Sequence, residues 1–149
     1  MWLALFLLIN FSALGIGSWL MNNGPTSNWY LTLNKALWTP LGWVFGVAWT
    51  TIMICFSIYL SYLINVKDGN TFWMLFIIQF VLNVSWNFVF FNQHAIGFGL
   101  IVIILLTIIV GYYLINFLSD MKLKSILIVP YFIWLLIATS LNAYSYLKN

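Results

Sequence analysis

Long apolar runs, interrupted at a few widely spaced points by charged or amide residues, set the pattern of this chain. Charge occurs at only seven positions: Lys35, Lys67, Asp68, Asp120, Lys122, Lys124 and Lys148. Residues 1–34, 36–66, 69–119 and 125–147 carry none. A helix needs about 20 residues to cross roughly 30 Å of hydrocarbon, so three of these stretches hold one crossing each. The stretch 69–119 holds two, separated at Asn92-Gln93-His94. The spacing predicts helices over 2–21, 42–64, 71–91, 96–118 and 125–147. Strands of a membrane barrel alternate apolar and polar residues over about ten positions, whereas these runs are continuous. Backbone groups in lipid must be satisfied within their own segment. The chain therefore reads as an all-α integral membrane protein, one five-transmembrane-helix bundle over residues 1–149.

Within the predicted helices, certain side chains share a face. In the third, Gln79, Asn83 and Asn87 recur every four positions, with Trp86 and Phe90 beside them. In the fifth, Tyr131, Trp134, Ala138, Leu141, Asn142 and Ser145 follow a spacing of three and four. In the second, Phe45, Trp49 and Met53 do the same. Amides on such stripes commonly hold helices together in lipid, at about 0.6–2 kcal/mol each. A cavity lined by Asn and Trp also suits a flat apolar ligand with a few polar groups. Gly15, Gly17 and Ser18 of the first helix and Gly97, Gly99 and Gly111 of the fourth are expected to serve close packing, within the bundle or in a dimer. The longest connection, residues 22–41, begins with a turn at Asn22-Asn23-Gly24-Pro25-Thr26. Ser27 or Asn28 then caps a short helix, and Pro40 leads into the second span, where proline is tolerated. Such an aromatic loop at one mouth of a bundle suits a lid.

Composition supports lipid as the solvent. Of 149 residues, 64% are hydrophobic and 5% charged, with no Arg or Glu; soluble domains carry about 25% charge. The basic balance is a matter of few charges and implies no nucleic-acid partner. Ser12-Ala13-Leu14-Gly15 resembles a signal-peptide cleavage site, but the first helix lacks a basic start and stays apolar through Met21, so it reads as uncleaved. Lys67, Lys122 and Lys124 lie on the N-terminal side of the membrane, against Lys35 and Lys148 on the other, which favours an inside N-terminus. Charge-free spans argue against proton relays and ion-coupled pumps and leave no lysine for a retinal Schiff base. One histidine cannot ligate a haem from two sides; His94 reads as an interfacial loop residue, and no metal site is expected. The single Cys55 excludes an internal disulfide. Trp2, Trp29, Trp43, Trp73 and Tyr146 fall near helix ends, as an interfacial belt. Trp49, Trp86 and Trp134 fall mid-span, where an indole N–H needs a partner and a ring can stack on a ligand.

The run Trp29-Tyr30…Leu33…Lys35-Ala36-Leu37-Trp38-Thr39-Pro40…Phe45-Gly46…Trp49 resembles the signature of the translocator protein/tryptophan-rich sensory protein (TspO) family. Asn83, Trp86-Asn87-Phe88 and Phe90-Phe91 resemble its third-helix motif, and Pro130-Tyr131-Phe132-Ile133-Trp134…Ala138-Thr139…Leu141-Asn142 its fifth. Ala36, Leu41 and Val47 replace frequent prolines, and Val102 a frequent aspartate. The resemblance covers essentially the whole chain. It implies a five-helix bundle, commonly a homodimer, that binds porphyrins (protoporphyrin IX and haem-type tetrapyrroles) without covalent attachment. Animal relatives also take cholesterol and benzodiazepine-type ligands. Carried over, the pocket residues are Tyr30, Trp38, Trp49, Asn83, Trp86, Trp134, Ala138 and Leu141.

Three functions remain open on this reading. The leading one is a membrane receptor or sensor for porphyrins. A second is an enzyme of light- and oxygen-dependent porphyrin degradation, for which Trp49 and Trp134 match the family's catalytic tryptophans. A third is a carrier of apolar ligands such as sterols or tetrapyrroles. Leu141-x-x-Tyr144-x-x-x-Lys148 fits a degenerate sterol-recognition pattern, although terminal Tyr and Lys also serve as interfacial anchors.

Overall fold

The computed structural model describes residues 1–149 and is entirely helical. Its long helices are α1 (Trp2–Leu20), α3 (Gly42–Leu63), α4 (Asn70–Asn87), α5 (Ile96–Asn116) and α7 (Val129–Lys148). Two short helices sit in loops, α2 (Asn28–Thr32) and α6 (Leu118–Met121). Helix α1 packs on α3 and α4, α4 on α5, α5 on α7, and α7 back on α3, which closes a five-membered ring. Four helices are individually long and apolar enough to span a bilayer. The fifth, α7, reaches that standard only together with residues 118–127, from which it is bent by 73°. Helix α7 is the least apolar because it carries Tyr131, Trp134, Asn142 and Ser145 on the face it buries. The protein is a multi-pass integral membrane protein.

Polar pairs tie the ring together, as amides and hydroxyls do where lipid offers no competing water. Asn10 Nδ2 of α1 donates to Ser57 Oγ of α3 at 2.8 Å. Thr107 and Thr139 hydroxyls meet at 3.1 Å between α5 and α7. Tyr59 of α3 donates to the Tyr113 carbonyl of α5 at 3.1 Å. Around these contacts the half of the bundle nearer the N-terminus is filled by Phe6, Phe56, Tyr59, Leu60, Leu63, Phe72 and Tyr113, all buried. At Gly17 a Cβ would stand 2.6 Å from Asn87 Nδ2, so a larger residue there would have to displace the Asn87 amide between α1 and α4.

Two helix ends depart from the expected spans for identifiable reasons. The last helix begins at Val129, not at 125, because Lys122–Leu127 forms a 3₁₀ segment and Pro130 sits in the first turn of α7. Proline lacks the N–H an interior turn needs, and it is accommodated at a start. The third span continues past Asn87 as a π-helical turn, Phe88–Asn92, with Gln93 N bonded to Phe88 O at 3.0 Å. That wider turn brings Phe90 and Phe91 both onto Trp86, one stacked at 5.0 Å and the other edge-on at 5.6 Å. Gly69, with φ +143°, takes the positive-φ extended conformation that precedes α4 and that favours glycine. The glycines of α5 are occupied within the chain: Gly97 faces Tyr146, Gly99 faces Phe90, and Gly111 faces Phe132. Among the glycines of the two small-residue faces, only Gly15 on α1 meets open space.

Candidate ligand site

The ring is open at the end opposite the packed core, and the α1–α3 loop covers it. The loop is held by local chemistry. Ser27 Oγ caps α2 by accepting from Tyr30 N at 3.2 Å. Thr39 Oγ1 donates to the Ala36 carbonyl at 2.7 Å. Aromatic contacts then press the loop onto the π turn: Trp29 stacks on His94 at 4.2 Å and meets Phe90 edge-on at 5.6 Å, while Tyr30 packs on Phe91 at 5.3 Å. A second attachment reaches α7, where Trp38 Nε1 donates to Ser140 Oγ at 3.2 Å. Asn34 and Asn149 also exchange backbone and side-chain bonds. His94 is thus an exposed loop residue, as expected, and it serves as a stacking partner of the lid. No group of His, Cys, Asp or Glu is placed to hold a metal ion.

Beneath the loop lies a cavity of about 720 Å³, bordered by α1, the loop, α3, α4 with its π turn, and α7, with Ile103 of α5 at its edge. Tyr30, Trp49, Asn83, Trp86, Trp134 and Ala138 line it, six of the eight residues expected from the sequence. Leu141 lines only a smaller recess of about 50 Å³ that shares Tyr30, Trp86 and Ala138 with the main cavity. Trp38 lines neither. It lies over Tyr144, edge-on at 5.5 Å, and remains 54% exposed. Its position in the motif therefore fastens the lid to α7 and does not bring the ring to the cavity.

A polar frame orients the walls. Gln79 Nε2 and Asn83 Nδ2 both reach the Tyr131 hydroxyl, at 2.8 and 3.0 Å. Trp86 Nε1 donates to Asn142 Oδ1 at 3.0 Å, and Asn142 Nδ2 donates onward to the Ile96 carbonyl at 3.1 Å. Phe45 meets Trp134 edge-on at 5.3 Å, and Trp49 meets Tyr131 at 6.0 Å. The amide stripe of α4 consequently does two jobs, as interhelical glue and as cavity wall. Trp134 lines the wall with its ring, while its indole N–H is buried and has no hydrogen-bond partner. The lining also includes residues not singled out as site residues from the sequence: Lys35, Phe45, Asn87 and Phe91. Phe45 shared a predicted stripe with Trp49, so its signal was present. Phe91 reaches the wall only through the π turn, which the helical period does not encode. Val102 does not border the cavity.

The sequence profile of the TspO/MBR family matches residues 4–147. This chain belongs to the TspO/MBR family. Among its relatives, the tryptophan-rich protein TspO of Chlorobaculum tepidum is 34% identical over 122 residues, 79% of this chain and 77% of that protein. The TspO of Archaeoglobus fulgidus is 32% identical over 143 residues, 92% of this chain and 90% of that protein. The human translocator protein is 29% identical over 126 residues, covering 80% and 74%. The TspO/MBR match spans all five long helices and the lid, so the loop, the tryptophans of α3, α4 and α7 and the Asn83 position all fall inside it.

Proposed function

We propose that this chain is a membrane receptor for porphyrins, which bind within the bundle in the cavity under the first loop. One observation carries the reading: a cavity of about 720 Å³ whose walls are Trp49, Trp86, Trp134, Tyr30, Phe45 and Phe91, flat rings suited to a flat aromatic ligand. Asn83 adds a polar group at that wall. The walls hold no carboxylate, histidine or cysteine to act as base, nucleophile or ligand for a metal, so binding needs nothing more than the cavity offers. Lid contacts through Trp29 and Tyr30 give occupancy a route to the outer surface, which is what a sensor requires. The family match and the relative named tryptophan-rich sensory protein from Cereibacter sphaeroides, 30% identical over 114 residues, support this direction.

A second reading, light- and oxygen-dependent degradation of the bound porphyrin, is favoured by the placement of Trp49 and Trp134. Both oxidisable indoles border the same cavity. Purified protein titrated with protoporphyrin IX in the dark, followed by tryptophan quenching and then by illumination in air, tests both. Saturable quenching that weakens in Asn83→Ala, Trp134→Ala supports the receptor. Loss of the porphyrin spectrum on illumination, abolished in Trp49→Phe, Trp134→Phe while dark binding persists, moves the assignment to an enzyme. Absence of saturable binding sinks the porphyrin assignment.

A further inference from the structure

Lys35 is the one charged side chain that lines the cavity, and it lines the smaller recess as well. It differs from the other lysines. Lys67, Lys122, Lys124 and Lys148 are exposed, whereas Lys35 is half-buried. Its ammonium donates to the carbonyls of Tyr30, Leu31 and Leu33, at 2.7, 3.3 and 3.4 Å, and lies 4.7 Å from the centre of the Tyr30 ring. Those contacts cap the C-terminal end of α2 and satisfy hydrogen bonds. They do not neutralise the charge, and a half-buried cation without a counter-charge is costly.

The chain has no side-chain carboxylate to offer at this end. Its two acidic residues, Asp68 and Asp120, lie in the α3–α4 and α5–α7 connections, at the opposite end of the bundle. Asp120 is already engaged with Lys67 at 3.6 Å, the only ion pair in the molecule. The cavity thus combines aromatic walls, a single fixed positive charge under the lid, and no negative charge. A complementary ligand is a flat apolar ring that carries a carboxylate, because charge-assisted bonds to an ammonium are the strong ones and strengthen as water is excluded.

We propose that Lys35 anchors a ligand carboxylate, so that the site selects acidic ring systems over neutral molecules of the same shape. This rests on the porphyrin reading and specifies which part of the ligand lies under the lid. The test compares protoporphyrin IX, which carries two carboxylates, with its neutral dimethyl ester. Each is titrated in the dark against wild type, Lys35→Met and Lys35→Arg, in the same detergent. The ratio of variant to wild-type Kd is taken for each ligand, so that micelle partitioning cancels. The acid is expected to lose about tenfold in affinity in Lys35→Met and to recover most of it in Lys35→Arg, with the ester shifted less than about twofold in either. Equal losses for acid and ester in Lys35→Met would show that Lys35 acts only by capping the lid, and would overturn the proposal. Unchanged acid binding in Lys35→Met would overturn it too, leaving the cavity as a porphyrin site. If neither ligand saturates wild type, the porphyrin reading itself fails, and this inference falls with it.

Discussion

At Gly24 the lid touches its floor. A Cβ there would stand 2.8 Å from Phe91 Cγ and 3.1 Å from Phe91 Cβ, and the second of these is held by the backbone of the π turn and cannot swing aside. Gly24→Ala is expected to destabilise by about 1–3 kcal/mol, the usual range for overpacking, and to weaken ligand binding because the lid must lift. Gly15→Ala is the matched control, since nothing lies within 4 Å of its Cβ. An alanine in that helix should be neutral or stabilising by up to about 1 kcal/mol. Thermal unfolding in detergent distinguishes the pair, and equal effects would contradict the lid contact. Burial pushes the Tyr30 phenol above its ordinary value of 10.0. A raised folded value means that its contribution is intact below about pH 10 and is lost as pH rises through the folded value. Wild type should therefore lose more stability at alkaline pH than Tyr30→Phe does, read from the difference between their unfolding midpoints across the alkaline range. Lys35 and Trp38 show why single residues are hard to read from a motif. One is a lone charge whose surroundings exist only once the loop folds under itself, and the other is turned outwards by its bond to Ser140.

Between elements, the Tyr131 hydroxyl is the join of α4 and α7. Gln79 and Asn83 both meet it, and all three residues are buried. Tyr131→Phe leaves two amides without that partner and should cost about 1–3 kcal/mol. Ser140→Ala, which removes one exposed bond from Trp38, should cost a few tenths at most and is the comparison. Similar midpoints for the two variants would count against the polar frame. The helices themselves were legible because membrane thickness and absent charge dictate them. The pairing of Gln79 and Asn83 with the Tyr131 face was legible only as two separate stripes, since spacing places residues on a face without naming the facing helix. Two features escaped for local reasons. Pro130 marks a helix start as well as a helix interior in lipid, and the preceding 3₁₀ segment decided for the start. The π turn at Phe88–Asn92 leaves no mark in hydropathy, yet it is what turns Phe91 towards the lid.

For the molecule as a whole, one end is filled and the other hollow. Tyr59, Tyr113, Phe56 and Phe72 close the end nearer the N-terminus, while Gly42, Gly46 and Ala138 leave space under the loop that larger residues would occupy. Occupancy should stabilise the fold: a ligand at a hundred times its Kd adds about 2.7 kcal/mol, visible as a raised unfolding midpoint in the presence of protoporphyrin IX. Gly46 borders the cavity, and a Cβ there has nothing within 4 Å, so a larger side chain can begin at this wall without a clash at its first atom. Trp43, on the same helix, is 68% exposed and lies outside the cavity. The decisive measurement is the dark titration of wild type, Gly46→Trp and Trp43→Phe with protoporphyrin IX. Saturable binding at one porphyrin per chain, lost in Gly46→Trp while its unfolding midpoint holds and retained in Trp43→Phe, is the result predicted. Undiminished binding to a folded Gly46→Trp protein would place the porphyrin elsewhere and contradict a ligand site inside the bundle.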